Sequence, residues 1–232
     1  MASKSKEDIS SMEPISTALS VAAVKATAGP VAKFIKDFGV DTYNKIAVTF
    51  QGCFQGHVET TLARCSKMKN VLYRDQSVDL KNQYVNVEFS GPKSKDLTDT
   101  KAVSLAVASG RLLICGTAGA GKTMFMRWSA LRLIDGMKAH GRVPLFLEMR
   151  YFEDDYHKQP LERYIYDKTS SVNDAANFSQ FEYGLKSGLF IILLDAIDEI
   201  SPRYRDKVVS RIMDFARRYP ECGLVISRLR TH

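Results

Sequence analysis

The sequence predicts an α/β fold with a parallel sheet, preceded by a mainly helical N-terminal region. The first observation is a set of four continuous apolar runs, at residues 112–115, 143–149, 189–195 and 223–227. Runs of this kind are typical of strands that are buried on both faces. The second observation is that stretches with helical periodicity separate the runs, an order that predicts parallel strands joined by helices. The third is a glycine-rich segment between the first run and the helix that follows it.

Composition places the chain among ordinary globular proteins. Its 232 residues are 45% hydrophobic and 25% charged, which is enough for one well-packed core or one and a half domains. The longest strongly apolar run, residues 189–194, is far too short to span a membrane. The N-terminus, MASKSKED, is polar and no apolar signal segment follows it, so we expect a cytoplasmic protein without a membrane partner.

Charge and cysteine usage narrow the classes of ligand. The net charge of +7 weakly favours polyanions, and we expect nucleotide phosphates to be the partner, with nucleic acid as the alternative. The histidines lack the spacing of metal ligands, and the cysteines form no C-x-x-C pair. This pattern predicts reduced thiols rather than disulfides or a zinc site for the four cysteines, Cys53, Cys65, Cys115 and Cys222.

The chain divides into four segments. Residues 1–14 are polar and rich in Ser and Lys, which predicts a disordered tail. Residues 15–90 form the helical N-terminal region, in which residues 82–89 alternate like a short strand. Residues 91–100 have the composition of a linker or surface loop, and residues 101–232 form the α/β core.

Capping signals define two helices of the core. Asn173 is the predicted N-cap of a helix that ends near residue 187, with Gly188 at its C′ position. Ser201 and Pro202 predict the N-cap and first residue of a second helix. One side of that helix carries the apolar residues Val208, Ile212 and Phe215.

The glycine-rich segment GTAGAGKT fits the pattern G-x-x-x-x-G-K-[ST]. Such a loop wraps phosphate oxygens with backbone N–H groups, which requires small residues, and it leads into a helix N-terminus that favours anions. Lys122 is expected to reach the β- and γ-phosphates, and the Thr123 hydroxyl to bind Mg²⁺. A flexible turn is the alternative. The predicted nucleotide-binding residues are Gly116, Thr117, Ala118, Gly119, Ala120, Gly121, Lys122 and Thr123.

The apolar run at residues 189–195 ends in acids that suit the same site. Asp195 closes the run and is the predicted Mg²⁺ anchor, directly or through water. Asp198 and Glu199 follow three and four residues later, and one of them is expected to orient or deprotonate the attacking water. Alternatively, the three acids are solvated side chains at the end of a strand.

The last apolar run is followed by arginines. Arg228 lies where the predicted strand emerges, at the same carboxyl edge as the phosphate loop, and a cation there can sense the γ-phosphate or stabilise charge in the transition state. Arg230 is the weaker candidate, and a surface arginine is the alternative interpretation for both.

Residues 100–232 resemble the NACHT domain of the STAND class of regulatory NTPases, and look most like bacterial members implicated in antiphage defence. Four blocks carry the resemblance, in the order LLICGTAGAGKT, VPLFLEMR, LKSGLFIILLDAIDEI and YPECGLVISR. The most specific is the third, in which the small residue Ala196 follows Asp195 and an Asp-Glu pair ends the motif. A weaker resemblance extends upstream through residues 67–89, the segment that often precedes bacterial NACHT cores.

The resemblance implies a role for each predicted site residue. Residues 116–123 would form the Walker A loop of a P-loop NTPase, and Asp195 would be the Walker B metal residue. Asp198 or Glu199 would serve hydrolysis, and Arg228 would be the sensor-1 arginine. The implied activity is a slow switch that is closed with ADP and assembles into oligomers with ATP, using Mg²⁺ as cofactor and other copies or a longer NACHT protein as partner.

The sequence also departs from the family pattern. NACHT proteins have a further strand beside the Walker A strand, followed by a helical lid and a winged helix. This sequence ends at His232, just after the sensor-1 strand, so the resemblance implies an incomplete sheet in which the strand at 112–115 is an open edge. The N-terminal region, a partner chain or a continuation of the chain would have to cover that edge.

Three functions compete on these grounds. The first is the ATP-dependent core of a STAND switch, favoured by the intact Lys122, Thr123, Asp195 and Glu199. The second is a truncated, non-hydrolysing module that binds nucleotide or pairs with full-length NACHT proteins. The third is a P-loop ATPase of the AAA+ or KAP kind, which the spacing of the acids disfavours because those families more often place the acid pair directly at the strand end.

Overall fold

The computed structural model describes residues 52–69, 77–91, 94–152, 158–170 and 176–230. The predictions for residues 1–51, including the disordered tail, lie outside these ranges. Two short antiparallel strand pairs, β1 with β2 and β3 with β4, precede the main sheet. The elements before that sheet are α1 (Gln55–Ser66), β1 (Lys67–Lys69), β2 (Ser77–Asp79), α2 (Leu80–Gln83), β3 (Glu88–Gly91), β4 (Ser94–Thr98) and α3 (Asp99–Val107).

The main sheet and its crossover helices follow. Short 3₁₀ turns at Met149–Tyr151 and Ile197–Glu199 come directly after its two neighbouring strands β6 and β7. The elements are β5 (Arg111–Gly116), α4 (Lys122–Asp135), α5 (Met137–His140), β6 (Val143–Glu148), α6 (Leu161–Thr169), α7 (Phe178–Lys186), β7 (Phe190–Asp195), α8 (Pro202–Arg218) and β8 (Gly223–Leu229).

The sheet has four parallel strands in the order β5-β8-β7-β6. Helices connect consecutive strands, as parallel pairing requires. The four predicted apolar runs are these four strands, and the predicted α/β fold with a parallel sheet is therefore confirmed. The register aligns Glu148 of β6 with Asp195 of β7, so both acids lie at the carboxyl edge of the sheet.

The sheet is covered on both faces, which explains why its strands read as continuous apolar runs. All six residues of β7 are buried. Because side chains alternate along a strand, Ile191 and Leu193 pack in a cluster with α3 and α4, and Ile192 and Leu194 in a second cluster with α6, α7 and α8. Hydrophobic burial on both faces is the main favourable term for this arrangement.

The predicted cap of α7 needs a correction, and Ser201, the predicted N-cap of α8, makes no side-chain capping bond. Asn177, not the predicted Asn173, is the N-cap of α7, because its side chain accepts from the Gln180 backbone while the Gln180 side chain accepts from the Asn177 backbone. Gly188 has a φ of +68°, as its predicted C′ position requires. Pro202 is the first residue of α8, as predicted.

The segment before the core is more structured than its composition predicts. Within residues 82–89, predicted as one strand, only Glu88 and Phe89 belong to a strand, and the predicted linker 91–100 contains β4 and the start of α3. Leu97 of β4 and its register partner Phe89 pack against the cluster under α4. Strand β4 was not evident because its other residues are mostly polar.

The two edges of the sheet differ. Helix α1 packs against the β6 edge, and the His57 side chain accepts a hydrogen bond from the Phe146 backbone N–H at 3.2 Å. Phe54, at the N-terminus of α1, is fully buried against the rings of Phe181 and Phe190. At the other edge, none of the described strands pairs with the outer side of β5, and Leu113 is 55% exposed.

Within the described ranges, no helix has the length and apolar character that crossing a lipid bilayer requires.

Candidate functional site

The glycine-rich loop joins β5 to α4. Gly119 and Gly121 have φ angles of +75° and +79°, a region that glycine enters without steric strain, and Gly121 is the N-cap of α4. The loop therefore directs free N–H groups of the helix N-terminus outward. The Lys122 Nζ donates to the carbonyl oxygens of Gly116 at 3.0 Å and Thr117 at 2.8 Å, which keeps the ammonium group against the loop.

Asp195 lies at the end of β7 and is completely buried. One of its carboxylate oxygens, Oδ1, accepts from the Ser227 hydroxyl of β8, and that hydroxyl accepts from the Ala196 N–H at 2.8 Å. The other oxygen, Oδ2, has no hydrogen-bond partner among the described residues. The Thr123 hydroxyl, in the first turn of α4, also interacts with this carboxyl. The site thus holds one acid oxygen fixed and the second open.

Burial is the main influence on this carboxyl and raises the pKa of Asp195 above its ordinary value. The Ser227 hydrogen bond, the proximity of the Thr123 hydroxyl and the charge of Arg150 oppose the shift, while the charge of Glu148 adds to it. An acid of this kind gains from a nearby cation, because the cation favours the ionised form.

The other two predicted acids lie in the turn after Asp195, and the structure gives them different partners. Asp198 accepts a hydrogen bond from the Leu229 N–H at 2.7 Å, which ties the turn to the end of β8. Glu199 forms an ion pair with Arg150, which follows β6, at an N–O distance of 3.5 Å. Arg205 of α8 donates to the carbonyl oxygens of Asp198 and Ile200, and these two hydrogen bonds stabilise the turn.

The two predicted arginines flank Leu229, whose backbone N–H donates to Asp198. Ser227 and Leu229 line the cavity beside Asp198, while Arg228, which alternates with them along β8, is not among its lining residues. The Arg228 Nε donates to the Leu229 carbonyl oxygen at 3.2 Å. Arg230, the weaker candidate, donates from its backbone N–H to the carbonyl oxygen of Gly116 at 3.1 Å, beside the glycine-rich loop.

Two cavities meet at this loop. The first, of about 430 Å³, lies between the loop and the acidic turn. The second is a groove of about 570 Å³ between the β3–β4 pair and the outer edge of β5, with Phe89, Leu112 and Phe125 among its apolar lining residues. Gly121 and Lys122 line both. The glycine-rich loop therefore separates two adjoining cavities, one beside the acidic turn and one beside β3–β4.

Residues 111–229, just over half of the chain, match the NACHT domain family. The chain belongs to the NACHT domain family. The matched range begins with β5 and ends with β8, so it comprises the whole main sheet. No curated protein sequence matches the chain.

Membership of this family identifies the fold as that of a P-loop NTPase and the chain as a nucleotide-binding NTPase module. The described residues fit Mg²⁺ as the accompanying ion: Asp195 Oδ2 is a buried oxygen without a partner among them, and Thr123 faces the same carboxyl. No cluster of three His, Cys, Asp or Glu side chains in the described part of the chain could hold a metal alone. Phosphate oxygens and water would have to complete the coordination.

Three contributors to the site were missed by sequence reasoning. Ser227 orients Asp195, Arg150 pairs with Glu199, and Arg205 supports the acidic turn. Ser227 could have been found from strand alternation, because it is two residues beyond the buried Val225 on the same face of β8. Arg150 and Arg205 carry no local signal, since their contacts depend on which elements pack together.

Proposed function

We propose that this NACHT module binds ATP or ADP with Mg²⁺ and acts as a slow, ATP-hydrolysing switch. The observation that carries the proposal is the buried Asp195 carboxylate, whose Oδ2 has no partner among the described residues while Thr123 stands beside it. A buried carboxylate with one open oxygen is unfavourable unless a cation completes it. Its position next to the glycine-rich loop supports Mg²⁺ bound together with phosphate oxygens.

The glycine-rich loop and the residues around Asp195 have different roles in this proposal. The N–H groups of residues 118–123 bind the phosphates, and Lys122 leaves its carbonyl partners to reach the β- and γ-phosphates. Asp195 and Thr123 hold the metal, which, when bound, neutralises charge on those phosphates. Ser227 keeps Asp195 in one orientation, so that Oδ2 stays directed at the metal position.

Glu199 is the better candidate for activating water. Asp198 already accepts from the Leu229 N–H, a contact that suits a structural acid. Glu199 is half-exposed, lines the same cavity, and is held by the charge of Arg150. The Arg150 pairing holds the Glu199 side chain at the edge of the cavity, where it can orient a water molecule. Arg228, near the end of β8, is proposed to sense the γ-phosphate or to stabilise charge in the transition state.

The nucleoside is proposed to lie in the groove between the β3–β4 pair and β5. The groove borders the phosphate loop, and Phe89, Leu112 and Phe125 give it an apolar lining. Apolar surface with a few polar groups is typical of small-molecule sites. Hairpin β3–β4 lies before the residues that match the family, so base contacts would come in part from outside the matched range.

The test is Mg²⁺-dependent binding of fluorescent ATP and ADP, with phosphate release followed in parallel. Lys122→Ala is expected to weaken binding by about 100-fold, because a charged partner of the phosphates is lost. Glu199→Gln is expected to retain binding and to slow hydrolysis by about 100-fold, since Gln cannot accept the proton. Asp198→Asn serves as the matched control.

Two outcomes would contradict this assignment. Normal hydrolysis by Glu199→Gln together with loss in Asp198→Asn would reverse the roles of the two acids. Absence of Mg²⁺-dependent nucleotide binding by the folded chain would refute the proposal as a whole.

A second candidate function is an interaction module that receives a strand from another NACHT chain. The outer edge of β5 favours it, since none of the described strands pairs there and Leu113 is 55% exposed. Leu113→Lys is expected to abolish any nucleotide-dependent assembly measured by light scattering. Because Leu113 also lines the groove proposed for the nucleoside, nucleotide affinity is measured alongside. Assembly that survives this substitution would place the contact elsewhere.

We further propose that the module acts in the cytoplasm of a bacterial cell in antiphage defence, with oligomerisation as its output. The support is the family membership together with the sequence resemblance to bacterial members. Phage plaque counts on cells that carry the wild-type chain or Lys122→Ala would test it, and equal counts would refute it.

A further inference from the structure

An ion triad centred on the buried Glu148 links helix α1 to the nucleotide-binding core. Glu148, the last residue of β6, has a side chain only 4% exposed and accepts hydrogen bonds from two arginines. Arg64 of α1 donates to its Oε2 at 2.9 Å, and Arg127 of α4 donates to its Oε1 at 3.0 Å. Each carboxylate oxygen therefore has one arginine, and the two arginines come from different helices.

Arg127 connects this triad to the phosphate loop. It lies four residues, about one helical turn, after Thr123, so the two side chains occupy the same face of α4. Glu148 is the register partner of Asp195 on the neighbouring strand. The triad thus lies directly behind the residues that hold the metal and phosphates in the proposed function.

Helix α1 is also held at a second point. The His57 imidazole accepts from the backbone N–H of Phe146, two residues before Glu148 on the same edge strand. This bond satisfies a donor that an edge strand would otherwise leave exposed. Helix α1 precedes the residues that match the family, so these contacts are a property of this chain rather than of the matched range.

We propose that the triad of Arg64, Glu148 and Arg127 is a positioning element of the nucleotide site, through which α1 fixes the helix behind the phosphate loop. The proposal rests on the proposed function, because its consequence concerns nucleotide binding. Displacing α1 weakens nucleotide binding, and bound nucleotide stabilises α1 in return. The two effects are reciprocal because both are the same coupling free energy. Removing Arg64 leaves the buried Glu148 with one arginine, which lets α4 reorient.

The test compares Arg64→Gln, the conservative Arg64→Lys and the control Arg217→Gln in the full chain. Arg217 is an exposed arginine paired with Asp214 on α8, so the control removes the same charge and an ion pair away from the site. Arg64→Gln is expected to weaken Mg²⁺–ATP binding at least about fivefold. Arg64→Lys should restore most of that loss, and Arg217→Gln should leave affinity unchanged.

A second arm needs no nucleotide. Hydrogen exchange is measured on the backbone amides of α1 and α4 in the empty chain. Arg127→Gln is expected to accelerate exchange in α1, and Arg64→Gln to accelerate it in the first turn of α4. Arg132→Gln is the control, because Arg132 lies on the same helix, is exposed and contacts the Trp128 ring instead of Glu148.

The outcomes separate the two proposals. If a substitution in one helix accelerates hydrogen exchange in the other, but the chain binds no nucleotide, the triad is supported and the proposed function is refuted. Exchange in α4 that is unchanged by Arg64→Gln, or acceleration spread evenly over the whole chain, would overturn the triad as a positioning element. Weakened binding that Lys at residue 64 does not rescue would overturn it as well.

Discussion

At the scale of single residues, the site is built around a carboxylate that the fold does not fully satisfy. Asp195 is completely buried and its Oδ2 has no partner in the described residues, although Ser227 secures Oδ1. The raised pKa of Asp195 has burial as its main cause. Functional sites often keep such unfavourable groups, because the ligand and not the fold completes them.

This leads to opposite effects of Asp195→Asn on stability and on binding. Folding raises the pKa of Asp195. At any pH above the pKa of the unfolded state, the folded chain must therefore either bury the charged carboxylate or take up a proton. Both lower the free energy of unfolding. The empty Asn variant is expected to be more stable by about 1 kcal/mol at neutral pH. It should also lose Mg²⁺-dependent nucleotide binding.

Urea unfolding of the empty chain, followed between acid and neutral pH, measures the stability effect. The gap between wild type and variant should widen as pH rises, since the wild-type carboxyl is neutral in both states only at low pH. Asp214→Asn, which removes an exposed acid from α8, is the control and should change little. A less stable Asp195→Asn variant would show that the fold itself depends on this carboxylate.

At the scale of elements, the buried strands could be predicted and the polar ones could not. Strand β7 is covered on both faces, so its run of apolar residues marks it without ambiguity. Leu97 of strand β4 packs against the core, but the sequence of the strand, SKDLT, is mostly polar and resembles that of a loop. The Asn177 cap was missed because Asn173 offers the same local signal, and only packing decides where α7 begins.

Strand β5 carries a cysteine at the exposed edge of the sheet. Of the four cysteines, Cys115 on β5 is exposed and lines the groove proposed for the nucleoside. Burial raises the pKa of Cys65 to about 11 and that of Cys222 to about 12, so these thiols are shielded and protonated at neutral pH. Cys53 is buried as well. A disulfide reagent should therefore label one thiol in the native chain.

Nucleotide should slow that labelling. Mg²⁺–ATP is expected to reduce the rate at Cys115 several-fold if the nucleoside fills the groove, and Lys122→Ala should remove the protection. Labelling of the unfolded chain, in which all four thiols react, gives the signal that corresponds to four labelled cysteines. Unchanged labelling under saturating nucleotide would exclude the groove as the nucleoside site while leaving the phosphate loop in place.

At the scale of the whole molecule, the folding unit extends beyond the residues that match the family. The sequence placed α1 in a separate N-terminal region, because nothing in its pattern shows what it packs against. In the structure, Phe54 is fully buried in the same cluster as Ile192 and contacts the rings of Phe181 and Phe190. The matched range alone would expose that surface.

Phe54→Ala should therefore destabilise the entire nucleotide-binding core, although residue 54 lies far outside the matched range of 111–229. Truncating a fully buried phenylalanine removes its transfer free energy and leaves a cavity, which together lower the free energy of unfolding by about 3–5 kcal/mol. Urea unfolding measures this loss, and Val85→Ala, at a side chain that is 79% exposed, is the control with little expected change. If Phe54→Ala has the same urea midpoint as the wild type, α1 does not contribute to the stability of the NACHT core, and the core folds without it. If the midpoint falls as expected, α1 and the sheet unfold as one cooperative unit.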